Sequence, residues 1–286
     1  MIADEDTKGL WQDHLVRWGM EFPSILHLLL TLSALHLSYE RPAQRDEYIQ
    51  QADDHFTFGV RTVTSVISQL NEQNCQQIYM ATVLICLIYF GRGPRPGEYL
   101  IFSDSGPAEW LVLMSGVKMV LSTYQAKVFS GILEPDGEDE DHTLSPAMQA
   151  ELHDHLAQID AVQRLIEQDI LDENQRAMYF AALKDLREIM GEVYEKRSSG
   201  KPGVDLMHLL IGWLYRRHEE FVHMLEQKEP RALVILAYWA VMLKYMESSW
   251  FMEGWSEHVL SGISGSLHVE FRPWIEWPWQ KVRSAR

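Results

Sequence analysis

Pro230-Arg231-Ala232-Leu233-Val234-Ile235-Leu236-Ala237-Tyr238-Trp239-Ala240-Val241-Met242-Leu243 decides the fold. Proline suits the first turn of a helix, where its missing N–H has no intrahelical partner to lose. The residues behind it are apolar almost all the way round. A helix with no polar face belongs inside a large core rather than on a surface. Trp250-Phe251-Met252-Glu253-Gly254-Trp255 follows closely and extends the apolar region. A helix of this kind must be covered by others, and helical spacing recurs along the rest of the chain.

Moving outward, a first helix is expected from Pro23 to Tyr39, carried by Ile25, Leu26, Leu29, Leu32 and Leu35. Pro42 lies just beyond it and pushes Arg41 out of helical geometry. The second, from Asp46 to Leu70, places Tyr48, Ala52, His55, Gly59, Val63, Ile67 and Leu70 on one face. Cys75 to Phe90 is apolar on nearly every side and reads as a central helix. Gly91-Arg92-Gly93-Pro94-Arg95-Pro96-Gly97 must be loop, and Glu98 to Phe102 is the one stretch with some strand character. A fourth helix is expected from Pro107, with Glu109 where a negative charge suits the dipole. Its stripe is Trp110, Leu113, Met114, Val117, Leu121 and Tyr124. Ser145 and Asp172 are expected caps of the next two helices. The second of these ends near Ser198-Ser199-Gly200-Lys201-Pro202-Gly203. Helices follow at 204–227, with a break at Gly212, then 230–246 and 255–267. The tail from Phe271 to Trp279 carries too much proline for a helix and is expected to fold back as an ordered, irregular cap. The predicted fold is all-α. It is a single large helical domain of about ten helices with an irregular Trp-rich C-terminal cap. Residues 1–21 read as an N-terminal extension and 22–280 as the domain. An acidic linker near 134–144 lies between two potential subclusters.

Composition narrows the function classes. Of 286 residues, 47% are hydrophobic, enough for a sizeable core. No window of 18 apolar residues occurs, so no membrane span is read; Ile78 to Phe90 comes nearest. The acidic start Met1-Ile2-Ala3-Asp4-Glu5-Asp6 argues against a secretory or mitochondrial leader. Cys75 and Cys86 are the only cysteines, too few for a disulfide framework or a cysteine zinc site. Both fall in helical patterns as buried apolar fillers, which fits a reducing compartment, cytosol or nucleus. The net charge of −16, with 25 basic against 41 acidic residues, excludes direct nucleic-acid contact by this chain, because such contact rests on clustered cations. Glu138-Asp139-Glu140-Asp141 reads as a solvated loop.

The motifs that suggest chemistry do not hold. His218 and His223 stand five apart, whereas a zinc-binding helix needs its histidines four apart on one face. His153-Asp154-His155 reads as a solvated helix face. Ser115-Gly116-Val117-Lys118 has serine–lysine spacing without the companion motifs of the penicillin-recognising enzymes. No catalytic residue and no metal ligand is assigned, and the chain is not read as an enzyme. Thirteen Met and ten Trp supply soft and planar side chains that suit a packed core or an apolar pocket.

Several blocks, in order, resemble the regulatory domain of fungal six-cysteine zinc-cluster transcription factors. They are Leu32-Ser33-Ala34-Leu35-His36-Leu37 before Arg41-Pro42; Tyr48, Ala52 and His55; Asn74-Cys75; Glu109-Trp110-Leu111 through Val117; Pro230 to Leu243; and Trp250 to Trp255. The wording is similar to the sterol uptake control branch. Ser115 stands where the family commonly has arginine, and the six-cysteine cluster that contacts DNA is absent from this chain. The resemblance implies an all-helical effector domain that senses ergosterol or a similar lipid to control gene expression. Its place would be the nucleus, with shuttling to the cytoplasm. If the pocket lies against the Pro230 helix, Trp239, Met242, Leu243, Met246 and Phe251 line it, with Leu113 and Val117 as the opposite wall. Gly254 is the expected control loop, or else simply a helix stop. No cofactor beyond such a lipid is implied. The alternative is a ligand-free interaction domain, forming a homodimer or recruiting transcriptional coregulators.

Overall fold

The computed structural model describes residues 13–133, 143–170, 172–200, 206–216 and 219–284. Among them every regular element is helical: α1 (Leu15–Glu21), α2 (Pro23–Glu40), α3 (Arg45–Ile67), α4 (Cys75–Gly91), α5 (Glu109–Val128), α6 (Pro146–Asp169), α7 (Glu173–Ser198), α8 (Met207–Tyr215), α9 (Glu219–Glu226), α10 (Pro230–Leu243), α11 (Trp255–Ser266) and α12 (Glu276–Ser284). The all-α prediction therefore holds. The Glu98–Phe102 stretch supplies only isolated bridges, Arg95 to Glu98 and Glu98 to Ser103. No helix among the described residues is long and apolar enough to cross a membrane.

The helix starts follow local chemistry. Ser145 accepts a hydrogen bond from the Met148 N–H, with Pro146 opening α6. Asp172 accepts from the Gln175 N–H at 2.7 Å and opens α7. Each cap satisfies one of the amide donors that a helix leaves orphaned at its N-terminus.

The chain divides into two compact units, Met1–Gly93 with Glu109–Asp139, and Pro94–Ala108 with Glu140–Arg286. In the first, α2 packs on α1, α3 and α4, and α4 packs on α5. α1 contributes the buried Leu15 and Trp18. Gly59 permits close approach: an added Cβ would lie 3.0 Å from the Leu28 side chain. In α4, twelve residues from Cys75 to Phe90 are buried, as its unbroken apolar composition requires. Cys75 and Cys86 are buried free thiols. Burial pushes the Cys86 thiol up to about 12, so it packs as an apolar filler beside the Met114 sulfur, 3.8 Å away.

In the second unit α10 is the axis, packed against α6, α7, α8, α9, α11 and α12. Residues 94–108, although bracketed by two helices of the first unit, belong here. Leu100, Ile101 and Phe102 of this strap are fully buried. Tyr99 fills the hollow over Gly262, where an added Cβ would meet its ring. The ring also stacks on His258, and Asp104 pairs with Lys228 at 2.9 Å.

Several expectations need correction. The Trp-rich tail is not irregular: Val269–Ile275 forms a 3-10 helix and Glu276–Ser284 an α-helix. Pro278 falls in the first turn of α12, where a missing N–H breaks no intrahelical bond. The single helix at 204–227 is two, α8 and α9, and Gly212 lies inside α8 rather than at the break. Pro230–Met246 is α-helical only to Leu243 and ends in a 3-10 turn. His155 is not on a solvated face; it is buried. The acidic linker, His218 and the stop at 201–203 lie outside the described residues, apart from Thr143 and Leu144.

Candidate functional site

α10 is held at its start by Glu229. The carboxylate accepts from the Ala232 N–H at 2.9 Å and from the Tyr179 hydroxyl at 2.6 Å. Arg231 pairs with Glu229 at 3.3 Å and with Asp169 at 3.2 Å. Burial, and then the hydrogen bond to Glu229, push the Tyr179 hydroxyl well above its usual range, so it remains a neutral donor to the carboxylate. A cap tied at once to α7 and to the end of α6 fixes where α10 enters the core.

Every residue from Ala232 to Leu243 is buried. Trp239 donates its indole N–H to the Leu210 carbonyl at 3.2 Å and stacks on Trp213, ring centroids 6.0 Å apart. Trp213 donates to the Ala182 carbonyl and meets the edge of Phe221. The indoles therefore bury apolar area without leaving an N–H unpaired, which a core position demands. Met242, Leu243, Met246 and Phe251 are all buried in the same unit. These five expected lining residues are thus all buried within the 239–251 segment of the second unit.

Gly254 sits at the N-cap of α11 with φ +78°. Around this turn Lys244 and Glu247 pair at 2.7 Å, and Glu247 accepts from both the backbone N–H and the hydroxyl of Ser256. The carboxylate lies at the positive end of the α11 dipole, which stabilises its charge. Gly254 is therefore a helix starter in left-handed backbone conformation. Leu113 and Val117 lie on α5 of the first unit, Leu113 half-buried and Val117 buried. Ser115 is exposed and hydrogen-bonds back to the Val112 carbonyl at 2.6 Å.

The second unit also carries a half-open cleft of about 260 Å³ between α7 and the α8–α9 region. Met178, Ala182 and Phe221 give it an apolar floor, with Asp185, Arg216 and Glu220 adding charge. None of the expected lining residues borders it. Phe221, Trp213 and Trp239 form a continuous aromatic series from this cleft to α10. Sequence reading did not single out Trp213, Phe221, Tyr179 or Glu229. The signals available were the apolar run Leu209-Leu210-Ile211-Gly212-Trp213-Leu214 and an acid directly before Pro230.

The described residues are all-helical, and in the second unit they gather round a sealed apolar helix. The family profile of the fungal specific transcription factor domain matches residues 2–194. The chain belongs to that family, and it is a transcription factor domain rather than an enzyme. Membership implies a nuclear function. The match gives no support to the sterol uptake control branch in particular. No curated protein and no solved structure matches the chain.

Proposed function

We propose that this regulatory domain acts in the nucleus through protein contacts, recruiting transcriptional coregulators or pairing with a second copy. The observation that carries the reading is the contrast between the sealed α10 segment and the open face of α5. Val112, 56% exposed, and Met119, 43% exposed, stand seven residues apart on that face, two turns along one side of the helix. Exposed apolar side chains on a shared face favour a protein partner. The test is light scattering and coregulator capture from a defined panel, with Val112→Glu/Met119→Glu. Loss of association with unchanged circular dichroism supports the reading; association unaffected by both charges counts against it.

A second reading keeps the apolar-ligand sensor, with a sterol-like molecule entering beside α10 and shuttling between nucleus and cytoplasm under its control. It is favoured by the aromatic series that leads from the cleft at Phe221 to Trp239. Met242 and Met246 can repack to make room, since thioether side chains adapt to irregular shapes. Trp239, Met242, Leu243, Met246, Phe251 and Gly254, all of the second unit, remain the proposed ligand residues. Fluorescent-sterol titration with ergosterol as competitor tests it. Saturable binding lost in Met242→Trp supports the sensor; no binding by a folded sample leaves the contact reading alone.

A further inference from the structure

His27 on α2 and His55 on α3 face each other with their Nδ1 atoms 2.9 Å apart. Their ring centroids are 5.0 Å apart. Phe58 packs on His27 with centroids 4.1 Å apart, which limits the ways that ring can turn. The pair meets because glycine at position 59, one turn beyond His55, lets α3 close onto Leu28, the neighbour of His27. Both histidines are half-buried, so they are restrained yet reachable from solvent.

Two imidazole nitrogens bound to one ion at about 2.0–2.1 Å stand about 2.9–3.4 Å apart, from a right-angled to a tetrahedral arrangement. The observed separation falls at the near end of that range. Imidazole nitrogen suits zinc, copper and nickel rather than magnesium or calcium. In the neutral pair a single proton lies between the two Nδ1 atoms. Shifting it to Nε2 of its own ring through solvent frees both Nδ1 lone pairs, with no net proton released, and a rotation of the rings turns them toward an ion beside the N–N line. Among the described residues no group of three or more His, Cys, Asp or Glu could hold a metal ion, so the chain supplies two ligands here and solvent would supply the others.

We propose that His27 and His55 form a two-histidine site for one divalent transition-metal ion of the copper and zinc class, clipping α2 to α3. An ion that binds the folded chain raises its unfolding midpoint by mass action. Copper should bind more tightly than zinc at such a site.

The test uses the untagged chain with Cu²⁺ and Zn²⁺, beside His27→Gln, His55→Gln and the double variant. Calorimetry is expected to show one tight Cu²⁺ equivalent, weakened about tenfold or more in each single variant, a loss at least as large as that from removing an outer-shell partner. Zn²⁺ should raise the melting midpoint of the parent and leave that of the double variant unmoved. Retention of the tight equivalent by the folded double variant overturns the proposal. Should a variant fail to fold, Cu²⁺ broadening of amide resonances in the parent decides. Broadening centred on α2 and α3 supports the site, and broadening centred elsewhere overturns it.

Discussion

Gly254 combines a φ of +78° with the start of α11. A side chain in that backbone region costs roughly 1–2 kcal/mol through the clash of Cβ with the carbonyl. Gly254→Val is therefore expected to lower unfolding stability by about that amount in urea titrations, while Glu253→Gln, one residue away, changes it little. His155 gives a second prediction at this scale. Burial, with the nearby positive charge of Lys281, holds its imidazole down to about 3 against an ordinary value of 6.5. Its ring lies 4.3 Å from that of Trp277, and its Nε2 is buried without a hydrogen-bond partner. The folded state thus binds fewer protons than the unfolded one below pH 6.5, so stability rises with pH across that window and is lost as pH falls from 6.5 toward 3. At two pH units below the ordinary value the loss is about 2–3 kcal/mol. His155→Leu should remove that part of the acid sensitivity. Urea titrations of parent and variant at pH 7 and pH 4.5 measure the difference, and equal pH dependence in both would contradict it. His153-Asp154-His155 gave no sign of this in the sequence, because three polar residues on a helix look alike until a neighbour covers one of them.

α12 shows how an element can contradict its composition. Two prolines and three tryptophans between Phe271 and Trp279 argue against a helix, yet α12 starts at Glu276 and takes Pro278 in its first turn. Its docking is specific. The Trp277 ring lies flat against Tyr238 with centroids 5.6 Å apart, and its indole N–H donates to Asp154 at 3.1 Å. Lys281 pairs with the same carboxylate at 3.0 Å. Trp277→Ala removes the stack and one hydrogen bond together. It is expected to cost about 2–4 kcal/mol and to raise amide exchange across Glu276–Ser284 ahead of α10. Exchange that rises equally in both helices would mean that α12 is not a separately docked element. The starts of α6 and α7 were plain in the sequence because Ser145 and Asp172 act on donors three residues away. Glu229 was missed as a cap because its importance also comes from Tyr179, fifty residues earlier.

For the whole molecule the strap is the feature with the widest consequence. Residues 94–108 are bracketed by α4 and α5, yet they complete the second unit through Tyr99, Leu100, Ile101 and Phe102. A fragment starting at residue 140 would leave their apolar sites open to water. Such a fragment is expected to bind a hydrophobic dye and to melt without a cooperative transition, while a fused 94–108 segment restores cooperativity. Cooperative unfolding of the bare fragment would show that the strap is dispensable. The family match ends at residue 194, inside α7, so a boundary drawn from it would cut the last turn of α7 and part the rest from α8 and α10, on which it packs.

The sequence alone determined the helical class, the buried course of α10, the caps at Ser145 and Asp172 and the family. Each depends on periodicity or on neighbours a few residues apart. The tertiary structure alone decided that 94–108 belongs with 140–286 and that His155 lies under Trp277. It also placed Leu113 and Val117 in a different unit from Trp239, and His27 against His55. These outcomes depend on which distant surfaces bury one another, and apolar burial is non-directional, so a local pattern states that a face must be covered without naming what covers it.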